Sequence, residues 1–270
     1  MNFNQTNIII TGGSSGIGKA TAQLLASLGA NLTIIARNQI TLDQAQREIE
    51  AFKLSQNQKI FSLSADVSVR EEAENAIAKA ITLLGSVEIL ILSAGIAHPG
   101  YFQDLPLEIF EQTMAVNYWG SLYCIRAVLP TMIQQKQGKI VLISSGAGLI
   151  GIYGYTAYSP TKFALKGLAE SLRAELKPWG IQVSIVYPPD TNTPQLITEN
   201  KTKPPETKAI TGTVKLWEPE KIAQEIIQGI QNSQFAIAPG LEMKLLNRFH
   251  SLLLPLLNQY FDRLIKNFKS

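Results

Sequence analysis

The chain is poor in the residues from which metal sites, disulfides and acyl-transfer triads are built. Its 270 residues include one cysteine, Cys124, and two histidines, His98 and His250. A single cysteine excludes an intrachain disulfide and is typical of a reducing compartment. The histidines lie far apart in the sequence and no pattern of carboxylates surrounds them. Neither a metal site nor a serine–histidine pair is therefore indicated.

Long hydrophobic runs and a large net charge are also missing. No stretch reaches the ~18 apolar residues of a membrane-spanning helix. The N-terminus has no basic segment followed by an apolar run, as a signal peptide would. The net charge of +3 is too small to predict a nucleic-acid partner. We therefore expect a cytoplasmic protein, whose 46 % of hydrophobic residues is enough for a large core.

Short apolar runs alternate with helical patterns along the first 240 residues. Strands are predicted over 7–11, 30–36, 59–65, 87–95, 138–145, 181–187 and 234–238. Helices are predicted over 16–28, 40–54, 70–84, 107–136 and 157–177. Strands without polar alternation, separated by helices, indicate a parallel sheet covered on both faces. The predicted fold class is α/β, a doubly wound parallel sheet of Rossmann type. It forms a single domain over 1–240 that binds ligands beyond the carboxyl ends of its strands.

Two segments break this alternation. Residues 194–218 are polar and proline-bearing, and they are predicted to form a substrate loop over the ligand crevice. Residues 241–270 are predicted to form a basic amphipathic helical tail that Pro255 interrupts. The tail contains the whole positive excess of the chain, with Lys244, Arg248, Arg263, Lys266 and Lys269. It is either a peripheral anchor on the cytoplasmic face of a membrane or a helix packed on its own domain or on a partner subunit.

The stretch TGGSSGIG follows the first predicted strand and opens the first predicted helix. Gly12, Gly16 and Gly18 allow a tight turn and a close approach of the backbone to a ligand. The helix N-terminus presents unpaired N–H groups and a positive dipole end to an anion. The hydroxyls of Ser14 and Ser15 can add hydrogen bonds. This setting predicts a binding site for the pyrophosphate of a dinucleotide.

The end of the second predicted strand distinguishes between dinucleotides. An acid roughly 20 residues past the glycines would hold the ribose 2′-hydroxyl of NAD. This chain has Arg37 there, and the nearest acid is Asp43. A guanidinium suits a 2′-phosphate, so NADPH/NADP is the predicted cofactor. Asp66, which follows the third strand, is either a partner of the adenine amino group or a helix N-cap.

The stretch YSPTK puts a phenol and an amine four positions apart. In a helix, Tyr158 and Lys162 would lie on one face, one turn apart. Pro160 between them is compatible with the first turn of a helix. A nearby ammonium lowers the pKa of a phenol, so this pair can serve acid–base chemistry. The same spacing also occurs by chance on solvated helix faces.

Taken together, these motifs resemble those of the short-chain dehydrogenases/reductases. The matching pieces are TGGSSGIG, Asp66–Val67, Ala94–Gly95, Val116–Asn117, Ser144–Ser145, and Tyr158 with Lys162. They occur in the order of that family and span most of the first 190 residues. The resemblance implies a Rossmann-type oxidoreductase and a homo-oligomer formed through the long helices.

The resemblance also implies roles for single residues. Tyr158 would be the proton donor, and Lys162 its electrostatic partner and a ligand of the nicotinamide ribose. Ser145, 13 residues before Tyr158, would bind the substrate carbonyl in preference to Ser144. Asn117 would complete the catalytic tetrad by holding a water, unless it is a core amide. Cofactor positions would be Gly12, Ser14, Ser15, Gly16, Gly18, Arg37, Asp66, Gly95, Lys162 and Thr193.

Residues 155–194 and the run ENKTKPPET at 199–207 sharpen the resemblance. They are similar to family members that reduce the 3-keto group of long-chain sphingoid bases with NADPH, in sphingolipid biosynthesis. Two other functions are compatible with the motifs. One is the reduction of 3-oxoacyl thioesters or other lipid ketones. The other is a non-catalytic NADP-binding sensor on the same fold, which would typically have lost the tyrosine or the lysine.

Overall fold

A computed structural model describes residues 2–212, 215–266 and 268 of the chain. Its centre is a sheet of seven parallel strands in the order β3-β2-β1-β4-β5-β6-β7. The strands are β1 (Asn7–Thr11), β2 (Asn31–Ala36), β3 (Ile60–Ser64), β4 (Ile89–Leu92), β5 (Gly138–Ile143), β6 (Ile181–Val186) and β7 (Ala236–Ile237). The chain order reverses between β1 and β4, where a doubly wound sheet forms its ligand crevice. The predicted fold class is confirmed.

Both faces of the sheet are covered, which is why its strands lack polar alternation. One face packs against three helices, α3 (Arg70–Leu84), α5 (Gly120–Gln135) and α6 (Ser159–Leu176). The other face packs against α1 (Gly16–Ser27), α2 (Gln39–Glu50) and α9 (Pro219–Gln231). The central strand shows the result, because Ile8, Ile9 and Ile10 are all fully buried. Each such side chain contributes roughly 1.5–3 kcal/mol by leaving water.

The long helix predicted over 107–136 is continuous but not uniformly α-helical. It consists of α4 (Leu107–Met114), one π-helical turn (Ala115–Trp119) and α5. Such wide turns are frequent at functional sites. Here the π turn contains the fully buried Asn117.

The segment 194–218 was predicted as a loop, and this prediction is wrong for most of its length. It contains two short helices, α7 (Pro194–Thr202) and α8 (Pro205–Thr211). Thr193 caps α7 by accepting a hydrogen bond from the backbone N–H of Leu196 at 3.3 Å. The prolines at the start of each helix suit positions that need no N–H donor. Thr213 and Val214 lie outside the described residues.

The tail is helical, as predicted, and forms α10 (Gly240–Lys266). The prediction that Pro255 interrupts it is wrong, because the helix continues through that residue. Met243 is its buried residue, and the part of α10 that follows has only exposed or half-buried side chains where the structure describes them. Asn267, Lys269 and Ser270 of the predicted tail lie outside the described residues. Among the described helices, none has the length and apolar character needed to cross a bilayer.

Candidate active site

A cavity of about 350 Å³ opens at the carboxyl ends of the parallel strands. It extends from the turn after β1, past the ends of β2 and β3, to α6 and α7. Nearly all residues that were predicted as site residues line it: Gly12, Ser14, Ser15, Gly16, Arg37, Asp66, Gly95, Ser145, Tyr158, Lys162 and Thr193. Gly18 and Asn117 lie behind this lining, where they support it.

The turn between β1 and α1 has the compact form that a phosphate-binding loop requires. Gly12 has φ +70°, and a Cβ there would lie 2.6 Å from the backbone nitrogen of Ala94. A Cβ on Gly18 would collide with the carbonyl of Gly12. Ser15 is the N-cap of α1, and its side chain makes no capping hydrogen bond. Its hydroxyl and the first N–H groups of α1 are therefore suited to binding an anion.

Arg37 and Asp66 stand together at the adenosine end of the cavity. Arg37 Nη1 lies 3.8 Å from Asp66 Oδ2, and the arginine side chain is 51 % exposed. An ion pair this long and this exposed adds little stability, so the guanidinium remains available to a phosphate. Asp66 Oδ1 accepts from the backbone N–H and the hydroxyl of Ser68, at 2.9 and 2.7 Å. The N-cap of α3 is Val69, which removes the alternative role of Asp66 as that N-cap.

Tyr158 and Lys162 meet inside the cavity, one helical turn apart. Tyr158 is the N-cap of α6, so Pro160 falls in the first turn and leaves the helix intact. Both side chains are more than nine-tenths buried. Lys162 Nζ lies 5.4 Å from the centre of the Tyr158 ring and donates to the Ile143 carbonyl at 2.9 Å. The chance-pair alternative on a solvated face does not describe this arrangement.

The pKa of Tyr158 differs from the sequence-based expectation. The neighbouring ammonium was predicted to lower it, but burial raises the pKa of Tyr158, and the negative charge of Glu199 raises it further. A hydrogen bond with Ser145 opposes these effects. The phenol is therefore protonated at neutral pH, as a proton donor must be. Burial also lowers the pKa of Lys162, to about 8, while Glu199 acts to raise it.

Two adjacent serines follow β5 and differ in what their hydroxyls contact. Ser144 is buried, and its Oγ donates to the backbone carbonyl of Lys162 at 3.2 Å. The hydroxyl of Ser145 accepts from the N–H of Ala147 at 3.1 Å and acts to lower the pKa of the neighbouring Tyr158 phenol. The geometry thus favours Ser145 for a substrate carbonyl, and its catalytic role stays a prediction.

The Asn117 side chain is fully engaged with protein atoms. Its Oδ1 accepts from the N–H of Ile96 at 2.8 Å, and its Nδ2 donates to the carbonyl of Ile96 and to Thr161 Oγ1 at 3.0 and 2.9 Å. Asn117 therefore joins the turn after β4 to the start of α6. Gly95 passes so close that a Cβ there would lie 3.3 Å from Asn117 Oδ1 and 3.6 Å from Lys162 Nζ. Participation of Asn117 in proton transfer stays a prediction.

Sequence reasoning missed a set of polar residues on the substrate side of Tyr158. They are Tyr155, Asp190, Gln195, Glu199 and Lys203. Three of them follow one another at four-residue intervals, which is the spacing of one helix face. That signal was present in the sequence, but it lay in a segment predicted as a loop. Within the described part of the chain, no group of three or more His, Cys, Asp or Glu side chains could hold a metal ion.

The chain matches the family model described as short chain dehydrogenase over residues 6–204. It is 43 % identical over 235 residues to the 3-ketodihydrosphingosine reductase of Bos taurus, covering 87 % of this chain and 71 % of that protein. It is 42 % identical to the 3-dehydrosphinganine reductase of Danio rerio, covering 89 % and 73 %. It is 40 % identical to the 3-ketodihydrosphingosine reductase of Dictyostelium discoideum, covering 96 % and 82 %.

Solved structures share the fold at lower identity. A short chain dehydrogenase/reductase from Burkholderia phymatum in complex with NAD superposes with a TM-score of 0.83 at 21 % identity, covering 95 % of this chain and 96 % of that one. A short-chain type dehydrogenase/reductase from Mycobacterium ulcerans gives a TM-score of 0.76 at 24 % identity, covering 84 % and 83 %. These likenesses show the fold that the sheet topology describes.

Proposed function

The chain belongs to the short chain dehydrogenase family, and from that premise we propose that it reduces the 3-keto group of a long-chain sphingoid base with NADPH. The observation that carries the proposal is the buried Tyr158–Lys162 pair in a cavity that begins at a phosphate-binding turn. The relatives that are 40–43 % identical over most of the chain, all named as reductases of this ketone, support the substrate class.

The residues at the two ends of the cavity fit a dinucleotide with a 2′-phosphate. The turn formed by Gly12 and Gly18 leaves no room for a Cβ, which suits a pyrophosphate. At the adenosine end, the half-exposed guanidinium of Arg37 suits the extra phosphate through charge-assisted hydrogen bonds. Gly95 and Lys162 adjoin the space where the nicotinamide ribose would lie. When bound, a reduced nicotinamide supplies a hydride to the ketone carbon.

The protein's part in the reaction is to deliver a proton to the ketone oxygen. Ser145 and Tyr158 both line the cavity as neighbours, so both hydroxyls can donate to one carbonyl oxygen about 3 Å away. Tyr158 then transfers its proton to the developing alkoxide and becomes a phenolate. Lys162, held by the Ile143 carbonyl, faces the Tyr158 ring and opposes this new negative charge. Burial keeps bulk water from competing for the proton.

Two further functions remain to be distinguished from this one by experiment. Reduction of 3-oxoacyl thioesters would use the same catalytic groups. A non-catalytic NADP-binding sensor would not need the buried pair, and the presence of both Tyr158 and Lys162 favours an enzyme.

The test is a paired assay of NADPH oxidation with 3-ketodihydrosphingosine and with a 3-oxoacyl thioester, repeated with NADH. We expect turnover of the sphingoid ketone with NADPH, and a Tyr158→Phe variant that loses about 10²–10⁴-fold in kcat while still binding NADPH. Preference for the thioester would refute the proposed substrate. Full turnover by Tyr158→Phe would refute the proposed donor.

We also propose that α10 binds to the surface of an anionic membrane, where a long-chain ketone would be dissolved. Between 244 and 266 the described side chains of α10 include no buried one, and although Leu246 packs against the core, many apolar residues of the helix remain exposed. Exposed apolar residues include Leu245, Phe249, Leu252, Leu254, Leu256 and Tyr260. Lys244, Arg248, Arg263 and Lys266 lie among them. Apolar and basic residues on one helix are typical of interfacial binding.

For the domain from 1 to 240 we propose a homo-oligomer formed through the long helices. Trp119 and Phe163 are 44 % and 41 % exposed on the π turn and on α6. Trp119 also stacks on Tyr123 of α5, which gives an apolar surface of the kind that subunits share. Sedimentation velocity of the protein without α10 measures its oligomeric state. We expect an oligomer if the contact is made by the long helices, and a monomer if it is made by α10.

A further inference from the structure

The segment that contains α7 and α8 lies beside the cavity and has three buried charged side chains. Glu199, Lys203 and Glu206 are 7 %, 5 % and 7 % exposed, although the run ENKTKPPET is polar throughout. Charged groups are rarely buried to this extent unless they are paired or bind a ligand. Each of the three therefore needs a partner or a function.

Glu199 lies on the same face of the cavity as the catalytic phenol. Its Oε2 accepts from the Tyr155 hydroxyl at 2.7 Å, and its Oε1 accepts from Gln195 Nε2 at 2.8 Å. Gln195 is close enough to act on the pKa of the Tyr158 phenol, which it lowers, and the rings of Tyr155 and Tyr158 are 5.6 Å apart. One side chain on each route thus separates the carboxylate from the reacting phenol.

The positive charges of this region do not neutralise Glu199 directly. Lys203 Nζ points to Asp190 Oδ2 at 4.0 Å, and Lys162 donates to the Ile143 carbonyl. Within the described part of the chain, no ammonium or guanidinium lies within 4.0 Å of the Glu199 carboxylate. Its hydrogen bonds come from neutral donors, so its negative charge faces the cavity without a cation.

For Tyr158 such a charge works against catalysis while the cavity is empty, although the same charge helps Lys162 to remain protonated. It raises the pKa of Tyr158, and it would disfavour the phenolate that forms when Tyr158 gives up its proton. A cation that arrived with the substrate would cancel this effect. A cationic group of the substrate would thus give the buried carboxylate of Glu199 a charged partner in addition to Tyr155 and Gln195.

We propose that Glu199 binds a protonated amine on the carbon next to the ketone, so that the site selects 2-amino ketones over ketones without the amine. This inference rests on the proposed function, because a 3-keto sphingoid base has its amino group on the carbon beside the carbonyl. With the carbonyl oxygen about 3 Å from Tyr158, an amine on the adjacent carbon would also lie inside the cavity, where Glu199 and Asp190 are lining carboxylates. Asp190 already faces Lys203 and is the less suitable carboxylate.

The test compares two ketones with NADPH: 3-ketodihydrosphingosine, and the same molecule with hydrogen in place of the amino group. The measured quantity is kcat/KM for 3-ketodihydrosphingosine divided by kcat/KM for the analogue without the amine. A charged hydrogen bond is worth enough to predict a roughly 10–100-fold fall of this ratio in Glu199→Gln. Glu199→Asp, which keeps the charge, should recover part of it. The proposal would be overturned if the ratio were unchanged in Glu199→Gln. It would also be overturned if the ratio fell in Asp190→Asn and not in Glu199→Gln.

Glu206→Gln is the matched control. Glu206 is an equally buried carboxylate on α8 that accepts from the Tyr101 hydroxyl at 3.0 Å, and it lies outside the cavity lining. The same change of charge there should leave the ratio as it is in the wild type. If Glu206→Gln lowered the ratio equally, the effect would belong to the two helices as a whole, and the assignment to Glu199 would be wrong.

A binding measurement separates this inference from the proposed function. The affinity of the NADPH-loaded protein for dihydrosphingosine, and for its analogue without the amine, does not depend on turnover. We expect Glu199→Gln to weaken the binding of dihydrosphingosine roughly 10–100-fold and to leave the binding of the analogue without the amine unchanged. If the wild type binds the amine selectively through Glu199 but reduces neither ketone, the proposed function fails and the inference stands. If the wild type reduces the sphingoid ketone and Glu199→Gln binds both ligands as tightly as the wild type does, the proposed function stands and the inference fails.

Discussion

At the scale of single residues, burial and nearby charges set the protonation states of the Tyr158–Lys162 pair. Burial holds the phenol in its neutral form, and it also favours the neutral form of the neighbouring amine. Ser145 and Gln195 oppose the first effect through hydrogen bonds to the phenol. The pair is therefore set to donate a proton at neutral pH, and its efficiency depends on Lys162 keeping its charge.

This dependence predicts a pH profile for cofactor binding. The pKa of Lys162 is lowered to about 8, so the ammonium is present below that pH and is lost as the pH rises through it. We expect kcat/KM for NADPH, which reports ionisation of the free enzyme, to be level between pH 7 and about 8 and to fall above. A profile that stays level to pH 10 would contradict the role given to Lys162.

Arg37 offers a second prediction at this scale. Replacing it with serine removes the guanidinium that is proposed to bind the 2′-phosphate. A charged hydrogen bond contributes ~1.5–3 kcal/mol, so KM for NADPH should rise roughly 10–100-fold while KM for NADH changes little. Arg47→Ser removes the same charge from an exposed position on α2 and is the control. Equal effects on the two cofactors would exclude a contact with the phosphate.

At the scale of elements, two parts of the chain perform tasks that their composition alone did not reveal. The helices α7 and α8 are rich in polar residues because their inner face meets the substrate end of the cavity. The apolar face of α10 is exposed because its own domain buries little beyond Met243. The polar segment α7–α8 thus has buried charged side chains, whereas the apolar side chains of α10 are exposed. This is the reverse of the usual arrangement.

The proposed membrane contact of α10 predicts a loss of liposome binding on substitution. Leu252 and Leu256 are 75 % and 64 % exposed. Changing both to glutamine removes two side chains that are each worth ~1.5–3 kcal/mol on burial, so partitioning into anionic liposomes should fall by at least tenfold. The change leaves the charge of the helix intact, and flotation measures the bound fraction.

A matched control uses the neighbouring polar positions of the same helix. Ser251→Gln with Asn258→Gln adds the same side chains at exposed positions and should leave flotation unchanged. If the wild-type protein failed to float with anionic liposomes, contact with a second subunit would become the explanation for the apolar face, and sedimentation of the leucine variant would test it.

At the scale of the whole molecule, the parallel sheet collects distant segments at one edge. The glycine turn after β1, Arg37 after β2, Ser145 after β5 and Asp190 after β6 all line one cavity. A ligand that spans this edge connects elements that otherwise meet only through the core. Binding should therefore stabilise the entire fold.

Thermal unfolding measures this coupling. At a concentration of 100 times its Kd, NADPH should add ~2.7 kcal/mol to the free energy of unfolding. For a chain of this size, that corresponds to a rise in Tm of about 5–10 °C. NADH at the same concentration should give a smaller shift, because it lacks the phosphate proposed to bind Arg37. Equal shifts would argue against the predicted cofactor preference.

Much of this architecture was predictable because its signals are local. The apolar strands, the setting of Gly12, Gly16 and Gly18, and the four-residue spacing of Tyr158 and Lys162 each depend on a few consecutive residues. Helices α7 and α8 were missed although Thr193–Pro194 and Pro204–Pro205 are ordinary helix starts, because a high polar content was taken as the stronger signal. Pro255 was expected to break α10 and did not.

The sequence by itself determined the parallel sheet, the glycine turn after β1 and the spacing of the proposed acid–base pair, since short-range patterns specify all three. Only the tertiary structure decided that Glu199 and Gln195 surround Tyr158, that Asn117 is engaged by Ile96 and Thr161, and that the pKa of the phenol is raised. Burial and electrostatic environment are sums over segments far apart in the chain. No local pattern contains them until the fold has brought those segments together.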